Sequence, residues 1–108
     1  MDRDWLDVGG VEEIPLRGTR VIATKSGPVA VFRTTDNRIF ATRDRCPHKN
    51  GPLSQGIVHG TRVTCPLHGW TIDLATGEAI APDRGCVPTI PTQVVDGRIL
   101  LHVTQSGR

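Results

Sequence analysis

CPHKNGPLSQGIVHGTRVTCPLH, residues 46–68, decides how this chain is read. The stretch opens with Cys46-Pro47-His48 and closes with Cys65-Pro66-Leu67-His68, with sixteen residues between the two motifs. Each motif offers one thiolate and one imidazole. Three explanations compete. Two structural cysteines and two surface histidines would explain the residues singly. Four ligand-type residues in two compact mixed pairs, each with a proline after the cysteine, argue against that. A structural Zn²⁺ accepts two Cys and two His in a tetrahedron, but such sites usually pair Cys with Cys and His with His. A two-iron cluster can take two Cys on one iron and two His on the other. Two loops gripping it from opposite sides would each present one of each, and the mixed pairing follows. The third explanation fits best.

The neighbours of these motifs suit a cluster. Inorganic sulfides accept hydrogen bonds, and N–H donors around them tune the metal. Backbone comes close only where side chains are small, so Gly51 and Gly69 are candidate neighbours, or else plain turn glycines. Pro47 and Pro66 fix φ after each cysteine and stiffen the loops. Pro52, Leu53, Leu67 and Trp70 are expected to form an apolar cover that limits water. Lys49 joins this surrounding set. Trp70 could equally be core. His59, in Val58-His59-Gly60, reads as a surface residue at a hairpin tip. His102 reads as structural, and Cys86 as a small buried hydrophobe. Asp83 and Arg84 read as a solvated loop.

Outward from the motifs, the chain carries β signals. Residues 19–25 (TRVIATK) and 29–34 (VAVFRT) are β-branched runs separated by Ser26-Gly27-Pro28, a turn signal. Residues 38–42 (RIFAT) follow an Asp36-Asn37 turn. Residues 93–103 (QVVDGRILLHV) hold Asp96-Gly97 between apolar runs, the signature of a two-residue type I′ hairpin. No stretch keeps a helical apolar period for three turns. The 8 Pro and 12 Gly disfavour helix interiors further. The expectation is an all-β domain of short antiparallel strands. A β-sandwich base, about 1–42 and 86–108, would carry an inserted lobe, about 43–85, where Pro and Gly crowd the loops.

Length and composition bound the rest. The 108 residues amount to one domain. Only 37% are hydrophobic, with two Trp, two Phe and no Tyr, so a bound metal centre would supply stability that the core lacks. The net charge of +2 comes from scattered basic residues, with no run or aromatic ladder to suggest nucleic acid. No segment approaches the roughly 20 apolar residues of a membrane span. The first ten residues lack the apolar stretch of a secretory signal, so the cytoplasm is the expected location. Three cysteines, two of them ligands, leave Cys86 without an internal disulfide partner, which suits a reducing compartment. Nucleotide-binding fingerprints, a second cysteine set and an oxygen-activating His/carboxylate triad are absent from the sequence. The chain is expected to carry electrons and to hold no catalytic residue of its own.

CPHKNG and CPLHGW resemble the two cluster-binding boxes of Rieske ferredoxins. That resemblance implies a Rieske fold, one Rieske-type [2Fe–2S] cluster, and ligands at Cys46, His48, Cys65 and His68. It also implies that the His-bound iron lies nearest the surface. High-potential members of the family carry a disulfide between the cluster loops and a Ser after the second box. Neither loop here has a second Cys, and Gly69-Trp70 offers no hydroxyl. The implied potential is therefore at the low end of the family's roughly −150 to +300 mV, near or below roughly −50 mV.

The run from Cys46 to Val87 further resembles the small subunit of assimilatory NAD(P)H nitrite reductase, and the resemblance covers about residues 5–103. It rests on Pro47-His48-Lys49, on GPLSQGIVHG at 51–60, on Gly77-Glu78-Ala79, Pro82-Asp83 and Gly85-Cys86-Val87, and on Asp96-Gly97-Arg98. It implies a large partner subunit containing flavin, an iron–sulfur cluster and sirohaem, which reduces nitrite to ammonia in nitrate assimilation. Two positions depart from that subfamily: His68-Gly69-Trp70 stands where His-Asn-Trp is frequent, and Lys49-Asn50-Gly51 where Lys-Gly-Gly is frequent. His-Gly-Trp is the pattern of general Rieske ferredoxins. The alternative is thus a free ferredoxin that carries electrons from a flavin reductase to a ring-hydroxylating dioxygenase.

Overall fold

The computed structural model describes residues 5–24, 27–45, 51–65 and 69–102. Its strands are β1 (Trp5–Gly10), β2 (Thr19–Thr24), β3 (Gly27–Arg33), β4 (Ile39–Arg43), β5 (Ile57–His59), β6 (Arg62–Thr64), β7 (Thr71–Asp73), β8 (Thr89–Ile90), β9 (Thr92–Val95) and β10 (Arg98–His102). The described helical structure is limited to two short 3₁₀ turns, Val11–Glu13 and Leu53–Gln55. The fold is all-β, and every pairing between these strands is antiparallel.

The strands form three sheets, ordered β1-β10-β9, β2-β3-β4-β8 and β5-β6-β7. β3 explains how they stack. Val29, Ala30, Val31 and Phe32 are all 0% exposed. In a strand, successive side chains leave opposite faces, so a strand buried on both faces reads as a continuous apolar run. Val29 and Val31 join Ile39, Ala41, Ile99 and Leu101 in an outer core toward the β1-β10-β9 sheet. Ala30 and Phe32 join Val58, Val63 and Ile72 in an inner core toward the β5-β6-β7 sheet. The four-stranded sheet is thus the middle layer. The chain between β4 and β8 supplies the third layer, so both cores share β3.

Turn chemistry sets the registers. Asp96 and Gly97 have φ of 51° and 76°, as a type I′ turn requires, and the β9–β10 hairpin forms where the Asp-Gly dipeptide predicts it. Asn37 is also left-handed, at 66°, in the turn before β4, and its N–H donates to the Thr34 carbonyl. One turn differs from expectation. β3 begins at Gly27, opposite Thr24, and Pro28 pairs with Ala23, so both belong to the strand. Proline is tolerated near a strand's first residue. β1 lies outside the sequence expectations, because Gly9-Gly10 hides its strand character. Pairing with β10 holds it, with a register irregularity between Asp7 and Gly10.

Candidate metal centre

Of the four expected ligands, Cys46, His48 and His68 lie outside the described residues, as do Pro47, Lys49, Asn50, Pro66 and Leu67. Cys65 is described. It follows the last residue of β6, is not in a disulfide, and is 1% exposed within the inner core. Its backbone N–H donates to the carbonyl of Trp70 at 2.7 Å, and the N–H of Gly69 donates back to the carbonyl of Cys65 at 3.1 Å. The second box is therefore closed at its base, and β6 and β7 hold the two ends in register. Gly69 has φ of 73°, a left-handed value that L-residues rarely adopt. That conformation, with its N–H committed to Cys65, is the reason for glycine there.

This setting fits an iron–sulfur ligand. A buried thiolate is costly unless it is paired or bound to a metal, and dry apolar surroundings keep water from the metal. Trp70 is half-buried and packs against the inner core, as its reading as core expects. Leu53 is wholly buried in that same core, whereas Pro52 is exposed. Gly51 is buried. Among the described residues, no group of three or more His, Cys, Asp and Glu comes together to hold a metal ion.

His59 is exposed, and its Nε2 hydrogen-bonds the Thr64 hydroxyl at 2.7 Å. His102 stacks edge-on against Trp5, with ring centroids 5.0 Å apart. Cys86 is exposed, which overturns its reading as a buried hydrophobe. Alternation explains the error: Val87 takes the inward position, with its N–H bonded to the Gly77 carbonyl, and Cys86 faces out. Sequence reasoning gives Asp44, Ser54 and Gly56 no individual role at the site. None lies in a metal-binding motif, and only the folded chain brings Asp44 to Ser54.

Comparison with known proteins agrees with this geometry. Residues 4–91 match the Rieske [2Fe-2S] domain. The anthranilate 1,2-dioxygenase ferredoxin subunit of Burkholderia cepacia is 35% identical over 101 residues, covering 93% of each chain. A chain in the complex of reduced oxygenase and oxidized ferredoxin in carbazole 1,9a-dioxygenase superposes with a TM-score of 0.83 at 26% identity, covering 93% of this chain and 94% of that one. A structure described as an NADH-dependent nitrite reductase small subunit from Mycobacterium tuberculosis gives 0.80 at 24% identity, covering 90% and 92%. That last likeness speaks for the fold alone. With an all-β sandwich, a buried cysteine at the base of a closed loop and a family match across most of its length, the chain belongs to the Rieske [2Fe-2S] domain family and carries one Rieske-type cluster.

Proposed function

We propose that this chain is a Rieske ferredoxin that takes one electron from a flavin reductase and delivers it to a ring-hydroxylating oxygenase. The observation that carries the proposal is the likeness to a dioxygenase ferredoxin subunit, 35% identical and nearly coextensive with this chain. The expected nitrite reductase assignment has less support. The Mycobacterium tuberculosis structure is 24% identical, and His-Gly-Trp at residues 68–70 is the general ferredoxin pattern. In this reading residues 1–108 act as one Rieske domain in the cytoplasm, with the cluster lobe at about 43–85. Neither nucleic acid nor membrane is among its partners.

The ligands are assigned as Cys46 and Cys65 on one iron and His48 and His68 on the other. When bound, the cluster supplies one-electron storage. The chain supplies the thiolates and imidazoles, excludes water through the inner core behind Cys65, and holds the second loop closed through Trp70 and Gly69. Residues 49, 51–53, 67, 69 and 70 surround the site.

The test is electron delivery. The purified holo-chain is reduced by NADH through a catalytic amount of flavin reductase, then mixed with a ring-hydroxylating oxygenase component and its aromatic substrate. Hydroxylated product that depends on this chain supports the proposal. A tagged chain that instead elutes with a large flavin- and sirohaem-bearing partner from nitrite-grown cells would establish the nitrite reductase reading.

A further inference from the structure

One side chain ties the end of β4 to the 3₁₀ turn Leu53–Gln55. Asp44 follows the last residue of β4, and its N–H donates to the carbonyl of Pro28 at 3.2 Å, which anchors it to the middle sheet. Its carboxylate reaches Ser54. Oδ1 accepts from the N–H of Ser54 at 2.7 Å, and Oδ2 accepts from the Ser54 hydroxyl at 2.9 Å. Ser54 lies in the 3₁₀ turn Leu53–Gln55, and Leu53 is wholly buried in the core that also holds Cys65. Gly56, just after that turn, lies so close to β6 that a Cβ there would collide with the Thr64 carbonyl oxygen. The exit of the first loop is thereby set against the residue next to Cys65.

Residues 45–53 are spanned by this latch, and they include Cys46 and His48. Asp44 is two residues from Cys46, no more than about 7 Å of extended chain. A carboxylate charge near a redox centre disfavours adding an electron to it. Bonds from two donors to one carboxylate also define an orientation that a single neutral bond would not.

We propose that Asp44 is a positioning residue for the cluster: it fixes the Cys46–His48 loop through Ser54 and holds the reduction potential down by its charge. The proposal rests on the assignment of Cys46 and His48 as ligands.

Variants of the full holo-chain test it, read by EPR g values, redox midpoint and iron content. Asp44→Ala should shift the g values and raise the midpoint. Asp44→Asn keeps an acceptor for the Ser54 N–H and a donor for its hydroxyl oxygen, so the g values should return to wild type while the midpoint stays raised. Ser54→Ala keeps the charge and loses one bond, so the g values should shift with a smaller midpoint change. If Asp44→Ala does not accumulate as holo-protein, the other two variants carry the test. Wild-type g values and midpoints in both Asp44→Asn and Ser54→Ala would overturn the proposal. Cys46→Ala separates the two levels. Loss of its Rieske signal upholds the ligand assignment whatever Asp44 does, and a retained Rieske signal overturns that assignment and the latch with it.

Discussion

The side chain of Arg17 spans two layers of the fold: its Nε donates to the carbonyl of Val58 in β5, 3.1 Å away. Arg17 is itself fixed, with φ of 65° and its N–H bonded to the Arg33 carbonyl at 2.8 Å. The middle sheet thereby grips an edge strand of the β5-β6-β7 sheet.

Replacing Arg17 by Met keeps the aliphatic stem and removes the donor. The expected cost is about 1.5–3 kcal/mol, the range for losing a hydrogen bond from a charged group. Chemical denaturation followed by far-UV circular dichroism measures it. An Arg17→Met midpoint equal to wild type would show that the strut contributes nothing.

Two glycines should respond differently to a methyl group. At Gly97 a Cβ would project into open space, but φ is 76°, so Gly97→Ala should cost about 1 kcal/mol in backbone strain alone. Gly56 has an ordinary φ of −81°, but its Cβ would meet backbone oxygens of both Thr64 and Leu53. Overpacking against backbone that cannot yield puts Gly56→Ala at about 3 kcal/mol. The same variant should lose its visible cluster absorbance faster on dilution into chelator. Equal stability of the two variants would refute the steric argument.

Acid should weaken the ion pairs that tie β1 and the turn after it to their neighbours. The hydrogen bond from Arg98 holds the Asp7 carboxyl below its usual range, helped by the Gly9 N–H. The Gly10 N–H, and then Arg20, do the same for Glu13. A depressed folded-state value stabilises the fold above the unfolded value and is lost as pH falls through the folded one. Ordinary values here are 3.8 and 4.5, so the melting temperature should hold from neutrality to about pH 5 and then decline. Asp7→Asn should flatten that decline in a calorimetric pH series. All these groups are solvent-exposed, and high salt should shrink the difference.

The ligand assignment and the low potential can be checked together. Cys65→Ser should abolish the cluster and lower the stability of the β5-β6-β7 sheet, since metal binding there is folding free energy. His48→Cys or His68→Cys should move the centre toward all-thiolate behaviour and a lower midpoint. Wild-type protein should titrate near or below roughly −50 mV. A strongly positive midpoint would mean that more hydrogen bonds reach the cluster than Gly69-Trp70 suggests.

What the sequence reveals depends on how local the cause is. Asp96-Gly97, Asp36-Asn37 and the apolar run Val29–Phe32 announce themselves because two to four adjacent residues determine the outcome. The mixed Cys/His boxes are local as well, and they point to the family. Cys86 misleads because exposure is a matter of which face the alternation reaches, and that depends on Val87 meeting Gly77. β1 escapes notice because its partner lies at the other end of the chain, with Trp5 opposite His102. The Asp44–Ser54 contact is of the same kind. Neither residue has a propensity that foretells it, and only the closing of a loop brings them together.

The twofold burial of β3 has a consequence for how the molecule comes apart. Val29 and Val31 belong to one core and Ala30 and Phe32 to the other, so no break between the layers leaves this strand intact. The β5-β6-β7 layer should therefore not melt as a detachable cap. Losing the metal centre should soften the far sheet too, and the amide protons of residues 29–32 should report a single, global opening.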